Sequence, residues 1–313
     1  MTSGSDIAMS ALVGRFPGVA QGADPEPMLR LFHAPNSICS QKVRAVLHHL
    51  DIPYWSHLLN IFAGDTYDPA YVRVRMSGCS AAGLPLADRH LGTTSVASGG
   101  CDACVVPTLV ESATGAVTVD SLRICLSLDA GQPDRPSLVP PDLVDRIMAE
   151  LAVVDELPNY QNLAVRVIGK SAPRNAFAQS KVARCDRLLA DHGADPVLRA
   201  AYEAKRSKEH MAAERLFDVA SVEQAKQAVG DALTGLETRL DNAGPWLFGE
   251  RVTMADLFWG AELIRAEDVG QAHFWAGTNL PRVAGYFRHL CTLPALRAAI
   301  IDFPAARLAA ALA

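Results

Sequence analysis

Cys39 is the residue best placed to do chemistry in this chain, because of what surrounds it. A short apolar run, Leu29-Arg30-Leu31-Phe32-His33, meets the breaker pair Pro35-Asn36 and continues as Ser37-Ile38-Cys39-Ser40-Gln41-Lys42-Val43-Arg44. Val43, Val46, Leu47 and Leu50 then fall on one side of a helix. That pattern puts Cys39 in the first turn of a helix that follows a strand, where unpaired N–H groups favour negative charge. A cysteine so placed can drop from a pKa of about 8.5 to roughly 3.5–7.5 and become a thiolate near neutral pH. The competing reading is a small, buried, inert thiol. Ser37, two residues upstream, is either a helix cap or a second polar group of the same site.

The elements needed to hold such a thiol follow in order. Pro53 to Leu59 alternates as a strand, and Asp65 to Met76 reads as a helix with Pro69 near its start. Two short strands, Val105–Val110 and Ala116–Val119, flank the turn signal Ser112-Ala113-Thr114-Gly115. Asp120-Ser121 then opens a further helix through Leu122, Ile124 and Leu126. Strand–helix–strand–helix–strand–strand–helix is the thioredoxin-like order. In that frame Val106-Pro107 gains a meaning beyond an edge proline. A cis bond there turns the Val106 N–H and C=O outward to pair with an extended peptide. Asp120 and Ser121 offer a hydroxyl and helix-start N–H groups to a carboxylate. A thiol, a strand edge and an anion cradle in this order describe a glutathione site.

Between the second helix and the Val-Val-Pro strand lies an insertion, Ser77 to Cys104, rich in Gly, Ser, Ala and Thr. Loops that long within a compact domain usually serve a purpose. It carries Cys79, His90, Cys101 and Cys104. These admit a zinc site, a redox role for Cys101 or Cys104, or incidental thiols in a lid over the site mouth; the lid is the favoured expectation, with no metal assigned.

Pro133, Pro136, Pro140 and Pro141 mark a linker, 130–140, after a first domain of 28–129. The second domain, 141–313, is helical throughout. Leu143, Ile147, Leu151 and Val154 recur at helical spacing, and Lys181–His192 and Pro196–Phe217 continue the pattern. Ser221-Val222-Glu223-Gln224 reads as a capping box before Val229, Leu233, Leu236 and Leu240. Thr253-Met254-Ala255-Asp256 reads as another, which makes Asp256 a folding residue rather than a catalytic one.

Bulk properties exclude several classes. The 313 residues are 50% hydrophobic and 20% charged with a formal net charge of −5, ordinary for a globular protein. No basic stripe suggests nucleic acid, no metalloprotease or phosphate-loop spacing appears, and no apolar run reaches the ~18–20 residues of a membrane span. Residues 1–27 contain Arg15 as their only basic residue, do not read as a signal peptide, and are expected to be a flexible lead-in. Seven cysteines without a secretory signal point to reduced thiols in a cytoplasm.

A thioredoxin-like α/β domain followed by an all-α domain with a late Thr-x-x-Asp box resembles the glutathione transferase superfamily, from Met28 to about Pro304. A narrower set of matches resembles its bacterial glutathione-dependent reductive dehalogenases, which act on chlorinated hydroquinones. These are Ile38 to Arg44, Tyr71-Val72-Arg73 ahead of the insertion, Val105 to Val110, Gly244-Pro245-Trp246-Leu247-Phe248-Gly249 and Ala255-Asp256-Leu257-Phe258-Trp259. The Cys-rich insertion is not part of that pattern. The resemblance implies a homodimer that uses glutathione as co-substrate on a small aromatic molecule. It implies Cys39 as the thiol that takes up glutathione in a mixed disulfide, Ser37 as its helper, and Val106, Pro107, Asp120 and Ser121 as the glutathione cradle. A general thiol transferase using the same Cys39, and a non-catalytic ligand carrier, are the alternatives.

Overall fold

Four of the five strands and the helices that cover them follow from the alternation and capping signals above. The computed structural model describes residues 4–168, 173–242 and 244–308. In chain order the first half contains α1 (Gly4–Arg15), β1 (Gly18–Gln21), β2 (Leu29–His33), α2 (Ile38–His49), β3 (Tyr54–Leu58), α3 (Pro69–Ala81), α4 (Val96–Gly99), β4 (Thr108–Glu111), β5 (Val117–Val119) and α5 (Ser121–Ala130). The sheet order is β1-β3-β2-β4-β5. β2 and β3 run parallel across the α2 crossover, and the other neighbours are antiparallel. This is the thioredoxin-like arrangement with one strand added at the edge.

That added strand corrects the expectation of a flexible lead-in. Leu12 and Phe16 bury against Phe32, Tyr71 and Val110, and β1 pairs with β3 from Gly18↔His57 to Gln21↔Tyr54. Gly18 is needed there: a Cβ at this position would stand 2.6 Å from the His57 ring, which bonds the Phe16 carbonyl at 2.6 Å. Residues 1–3 of the lead-in lie outside the described residues.

The second half contains α6 (Val144–Asp155), α7 (Asn159–Ile168), α8 (Ala176–His192), α9 (Pro196–Arg215), α10 (Val219–Arg239), α11 (Met254–Asp268) and α12 (Pro281–Leu290). Residues 169–172 and 309–313 of the expected helical domain lie outside the described residues. The capping box at Thr253 and Asp256 forms, and the buried Asp256 carboxylate also accepts from Leu247 N–H at 2.9 Å and the Tyr286 hydroxyl at 2.5 Å. The box placed at Ser221 does not. α10 starts earlier, at Val219, with Asp218 as its cap accepting from Ser221 N–H at 2.9 Å. An Asp two positions before an Ala-Ser pair competes for the same donors, and it wins.

The halves are joined by the polar face of α2. Gln41, Lys42 and Arg44 are all buried. Arg44 donates to Ala299 O at 2.7 and 2.9 Å, to Pro35 O at 2.7 Å and to Ala34 O at 3.1 Å. Gln41 donates to Ala306 O at 3.0 Å, and Lys42 pairs with Asp155 at 2.6 Å. The Gln-Lys-x-Arg run is therefore the clamp that fixes the helix of Cys39 onto the helical layer.

The insertion is built rather than loose, which corrects its reading as an unstructured loop. α3 runs into it as far as Ala81, so its true span is shorter than 77–104. Cys79 and Cys101 form a disulfide, Cys101 bridges Leu86, and Ala87 N–H bonds Cys101 O at 2.9 Å. Further on, Thr94 N–H bonds Asp155 O, and Tyr160 N–H bonds Gly92 O, each at 3.0 Å. The segment thus spans from α3 to α6 and α7 as a pinned strap.

Candidate functional site

α2 begins with Ser37 as its cap, the Ser37 hydroxyl accepting from Ser40 N–H at 3.4 Å. Cys39 is therefore the second residue of the helix, half-buried, at the floor of a cavity between the two halves. The capping role of Ser37 is present in the structure, and Ser37 lines the same cavity. Val106, Pro107, Asp120 and Ser121 line it too, so all six residues singled out from sequence come together.

The Val106–Pro107 peptide bond is cis. Two side chains from α3, neither singled out from sequence for this work, hold the loop on either side of it. The Tyr71 hydroxyl donates to Val105 O at 2.6 Å. The Arg75 guanidinium reaches Pro107 O, Thr108 Oγ1 at 2.9 Å and Asp102 O at 2.7 Å. The only cue to Arg75 in the sequence is a charge on the buried side of a helix, and that becomes informative only once the packing face is known.

Asp120 sits at the start of α5 with φ 75, in the left-handed region, which Asp tolerates better than most residues. Burial, and then the nearby Asp155 charge, push its carboxyl above the usual range. Ser121 is buried, and its side chain favours the ionised form of the Cys39 thiol.

The Cys39 thiol itself corrects an expectation. Burial pushes its pKa up rather than down; Lys42 and the Ser121 side chain pull it down, and Asp155 and Asp120 push it up. The helix start is as expected, but the sequence did not reveal that Lys42, one turn on, is itself neutralised by Asp155 at 2.6 Å. The cation that ought to make Cys39 acidic is largely spent on a carboxylate.

The insertion cysteines are corrected as well. Cys79 and Cys101 are bonded to each other, so the chain does not carry seven free thiols, and Cys101-x-x-Cys104 is not a redox pair. Cys104 is buried and its thiol is pushed well above the ordinary range by burial and by Asp102. His90 stacks on Tyr160 at 4.0 Å, and its Nδ1 accepts from Gly92 N–H at 3.0 Å. Cys79 and Cys101 are thus spent on each other and His90 on Gly92 and Tyr160, which leaves Cys104 as the one free thiol among the four candidate zinc ligands.

Sequence reasoning also missed the opposite wall of the cavity. Tyr160, Phe177, Lys181, Lys205 and Glu209 from α7, α8 and α9 face it, with His90 and Asp102 from the insertion. No local motif marks them; three helices and a strap must pack before they meet.

Comparison with known proteins agrees with this arrangement. Residues 36–130 match the glutathione S-transferase N-terminal domain family and residues 219–289 the corresponding C-terminal domain family. The 2,5-dichlorohydroquinone reductive dechlorinase of Sphingobium indicum is 34% identical over 293 residues, covering 90% of this chain and 85% of that protein. Among solved structures, the beta-etherase LigF of Sphingobium sp. strain SYK-6 aligns with a TM-score of 0.58 at 14% identity, over 87% of this chain and 98% of that one. The glutathione transferase URE2P6 of Phanerochaete chrysosporium, solved in complex with oxidised glutathione, aligns with a TM-score of 0.54 at 15% identity, over 87% and 94%. At those identities the two structures speak for the fold.

Proposed function

The chain belongs to the glutathione S-transferase family, and on that premise we propose that it is a glutathione-dependent enzyme that reductively dehalogenates a chlorinated hydroquinone or a related haloaromatic. The observation that carries the reading is the type and place of one residue. Cys39, rather than a serine or tyrosine, stands in the first turn of α2, facing the same cavity as Ser121 and the cis Val106–Pro107 edge. The relationship to a protein known as a 2,5-dichlorohydroquinone reductive dechlorinase supports the choice of substrate class.

In this scheme glutathione lies along the Val106–Pro107 edge, with its γ-glutamyl carboxylate at Asp120 and Ser121. That carboxylate is met by the α5 start and the Ser121 hydroxyl. Asp120 suits the neighbouring γ-glutamyl ammonium. The glutathione thiolate adds to a tautomer of the halogenated ring and expels halide, which leaves a glutathionyl hydroquinone. The Cys39 thiolate then attacks the glutathione sulfur. The carbon–sulfur bond breaks, its electron pair goes to the ring carbon with a proton, and a Cys39–glutathione disulfide forms. A second glutathione attacks that disulfide, releases oxidised glutathione and frees Cys39. The sum is one ring chlorine and two glutathiones converted to one ring hydrogen, one chloride with a proton, and one glutathione disulfide. Ser37 holds the first turn of α2, and with it Cys39, in register with the incoming sulfur.

A raised Cys39 pKa leaves a small ionised fraction near neutral pH, and because nucleophilicity rises less steeply with basicity than that fraction falls, the cleavage step should speed up as pH rises. We place the enzyme in the cytoplasm as a homodimer, with residues 28–129 as the glutathione half and 141–313 as the substrate half. The test is stoichiometry: incubation with glutathione and 2,5-dichlorohydroquinone should release one chloride and one glutathione disulfide per ring reduced. Glutathione disulfide formed from conjugates without any chloride released would favour the thiol-transferase alternative instead.

A further inference from the structure

We infer that the cavity wall formed by α7, α8 and α9 is a receptor for an ionised phenolic oxygen of the aromatic substrate, with Lys181 as the donor and the Tyr160 and Phe177 faces as the flanking surfaces. This rests on the reading above that the second substrate is an aromatic ring, and it specifies which rings qualify.

The argument begins with how the charges are shared. Lys205 is spent on two carboxylates, Asp102 at 2.7 Å and Glu209 at 2.8 Å, and Lys208 pairs with Asp102 at 3.1 Å. Lys181 is the least committed of the three. Its contacts are the longest, 3.3 Å to Glu209 Oε1 and 3.2 Å to the Tyr160 hydroxyl, and that hydroxyl is already donating to Glu209 Oε2 at 2.5 Å. An ammonium has three donors, so one remains. Three lysines against two carboxylates leave one positive charge in a cavity wall.

That charge is surrounded by flat apolar surface. The Lys181 Nζ lies 4.4 Å from the Tyr160 ring centroid and 4.2 Å from that of Phe177. His90 stacks on Tyr160 and is held well below its ordinary pKa by burial and by Lys208, so it stays neutral and adds no competing charge. A second unspent donor stands close by. Tyr67 is buried in the same cavity wall, its hydroxyl has no partner among the described residues, and Lys205 lies 5.9 Å from its ring. A buried donor left unpaired is costly, and an oxygen acceptor would recover that cost. An anionic oxygen on a planar ring satisfies all of these at once, whereas a ring without oxygen leaves the charge and both donors unmet.

Burial lowers the Lys181 ammonium to about 8, against the raising effect of Glu209 and with further lowering by Lys205; Asp102 opposes it, and Lys208, Tyr160 and the neutral His90 complete its surroundings. The sign follows: the cation is present below about pH 8 and is lost as pH rises through that value.

The test uses 4-nitrophenol, whose absorption band reports its ionisation, titrated into the intact protein without glutathione. At pH 7 the bound ligand should be ionised, and Lys181→Met should bind it about ten- to hundredfold more weakly, as expected for a lost hydrogen bond to a charged partner. Lys181→Arg should restore binding. Raising the pH from 7 to 9 should weaken nitrophenolate binding to the parent protein and leave it unchanged in the arginine variant. Equal affinity in the Lys181→Met variant, with its fold intact by circular dichroism, would overturn the inference. So would binding of the neutral phenol alone. Chloride release from 2,5-dichlorohydroquinone is read separately. Its absence alongside Lys181-dependent nitrophenolate binding would reject the dehalogenase reading and leave this receptor standing.

Discussion

On one side of the cavity the groups around Cys39 come from first turns and strand edges: Ser37 and Cys39 at the start of α2, Val106 and Pro107 ahead of β4, and Asp120 and Ser121 at the start of α5. On the other side Asp102, Tyr160, Lys181, Lys205 and Glu209 come from a strap and three helices, and they are held by ion pairs buried between them. The first wall is made of groups that helix starts and a strand edge present one by one. The second wall is held together by ion pairs between its side chains. Glutathione binding and stability should therefore separate across the cavity: damage to the first wall should cost glutathione affinity, and loss of a member of the Asp102–Lys205–Glu209 ion pairs in the second should cost the fold.

The sharpest way to break that contrast is Asp102→Ala. It strips one carboxylate from Lys205 and, among the described residues, the only carboxylate paired with Lys208. Removing one member of a buried ion pair typically costs about 3–5 kcal/mol. Urea unfolding should show a loss of that size, and replacing Asp102 and Lys205 together by apolar residues should recover part of it. The pH dependence has a definite sign. Asp102 and Glu209 are both held below the ordinary carboxylate range, by Lys205 and Lys208 in the first case and chiefly by Lys181 and Lys205 in the second. Their contribution is complete above the unfolded carboxylate pKa and is lost as pH falls through the lower folded values. The acid limb of the stability profile should accordingly be shallower in Asp102→Asn than in the parent protein. An unchanged unfolding midpoint would mean that the second wall does not depend on its charges.

A smaller effect, of a different kind, is expected on the first wall. Ser121→Ala removes a hydroxyl that would donate to the γ-glutamyl carboxylate, worth about 1.5–3 kcal/mol for a charged partner. Glutathione should bind about ten- to hundredfold more weakly by isothermal titration. Unfolding should be nearly unaffected, because no side-chain cap bond at the start of α5 is there to be lost. In the glutathione-free protein the variant also loses the side chain that lowers the Cys39 pKa, so that thiol should titrate higher still. Full glutathione affinity in Ser121→Ala would place the γ-glutamyl group elsewhere.

The same contrast explains what was legible from sequence. β2 lies at Leu29–His33 as its sequence predicts, the helix starts around Cys39 and at Ser121 and the Thr253–Asp256 box follow from local chemistry, and the cis proline follows only once the strand–helix order is recognised. β1 was missed because Gly18-Val19-Ala20-Gln21 is too short to alternate convincingly, and only the β3 edge and the His57 ring beside Gly18 make it a strand. Lys42 was visible as a charge near Cys39, but its partner Asp155 lies 113 residues away, so the direction of the Cys39 shift was not legible. The insertion read as loose because its constraints are non-local: a disulfide across 22 residues, and the bonds from Thr94 and Asp102 to Asp155 and Lys205.

The central claim is that Cys39, on the first wall, cleaves the glutathionyl–ring bond, and product analysis of Cys39→Ser tests it most directly. The variant should still bind glutathione and still release chloride from 2,5-dichlorohydroquinone, because halide leaves before Cys39 acts. It should then accumulate the glutathionyl hydroquinone by mass spectrometry, with no glutathione disulfide formed. Fully reduced ring appearing at the parent rate in Cys39→Ser would contradict the account.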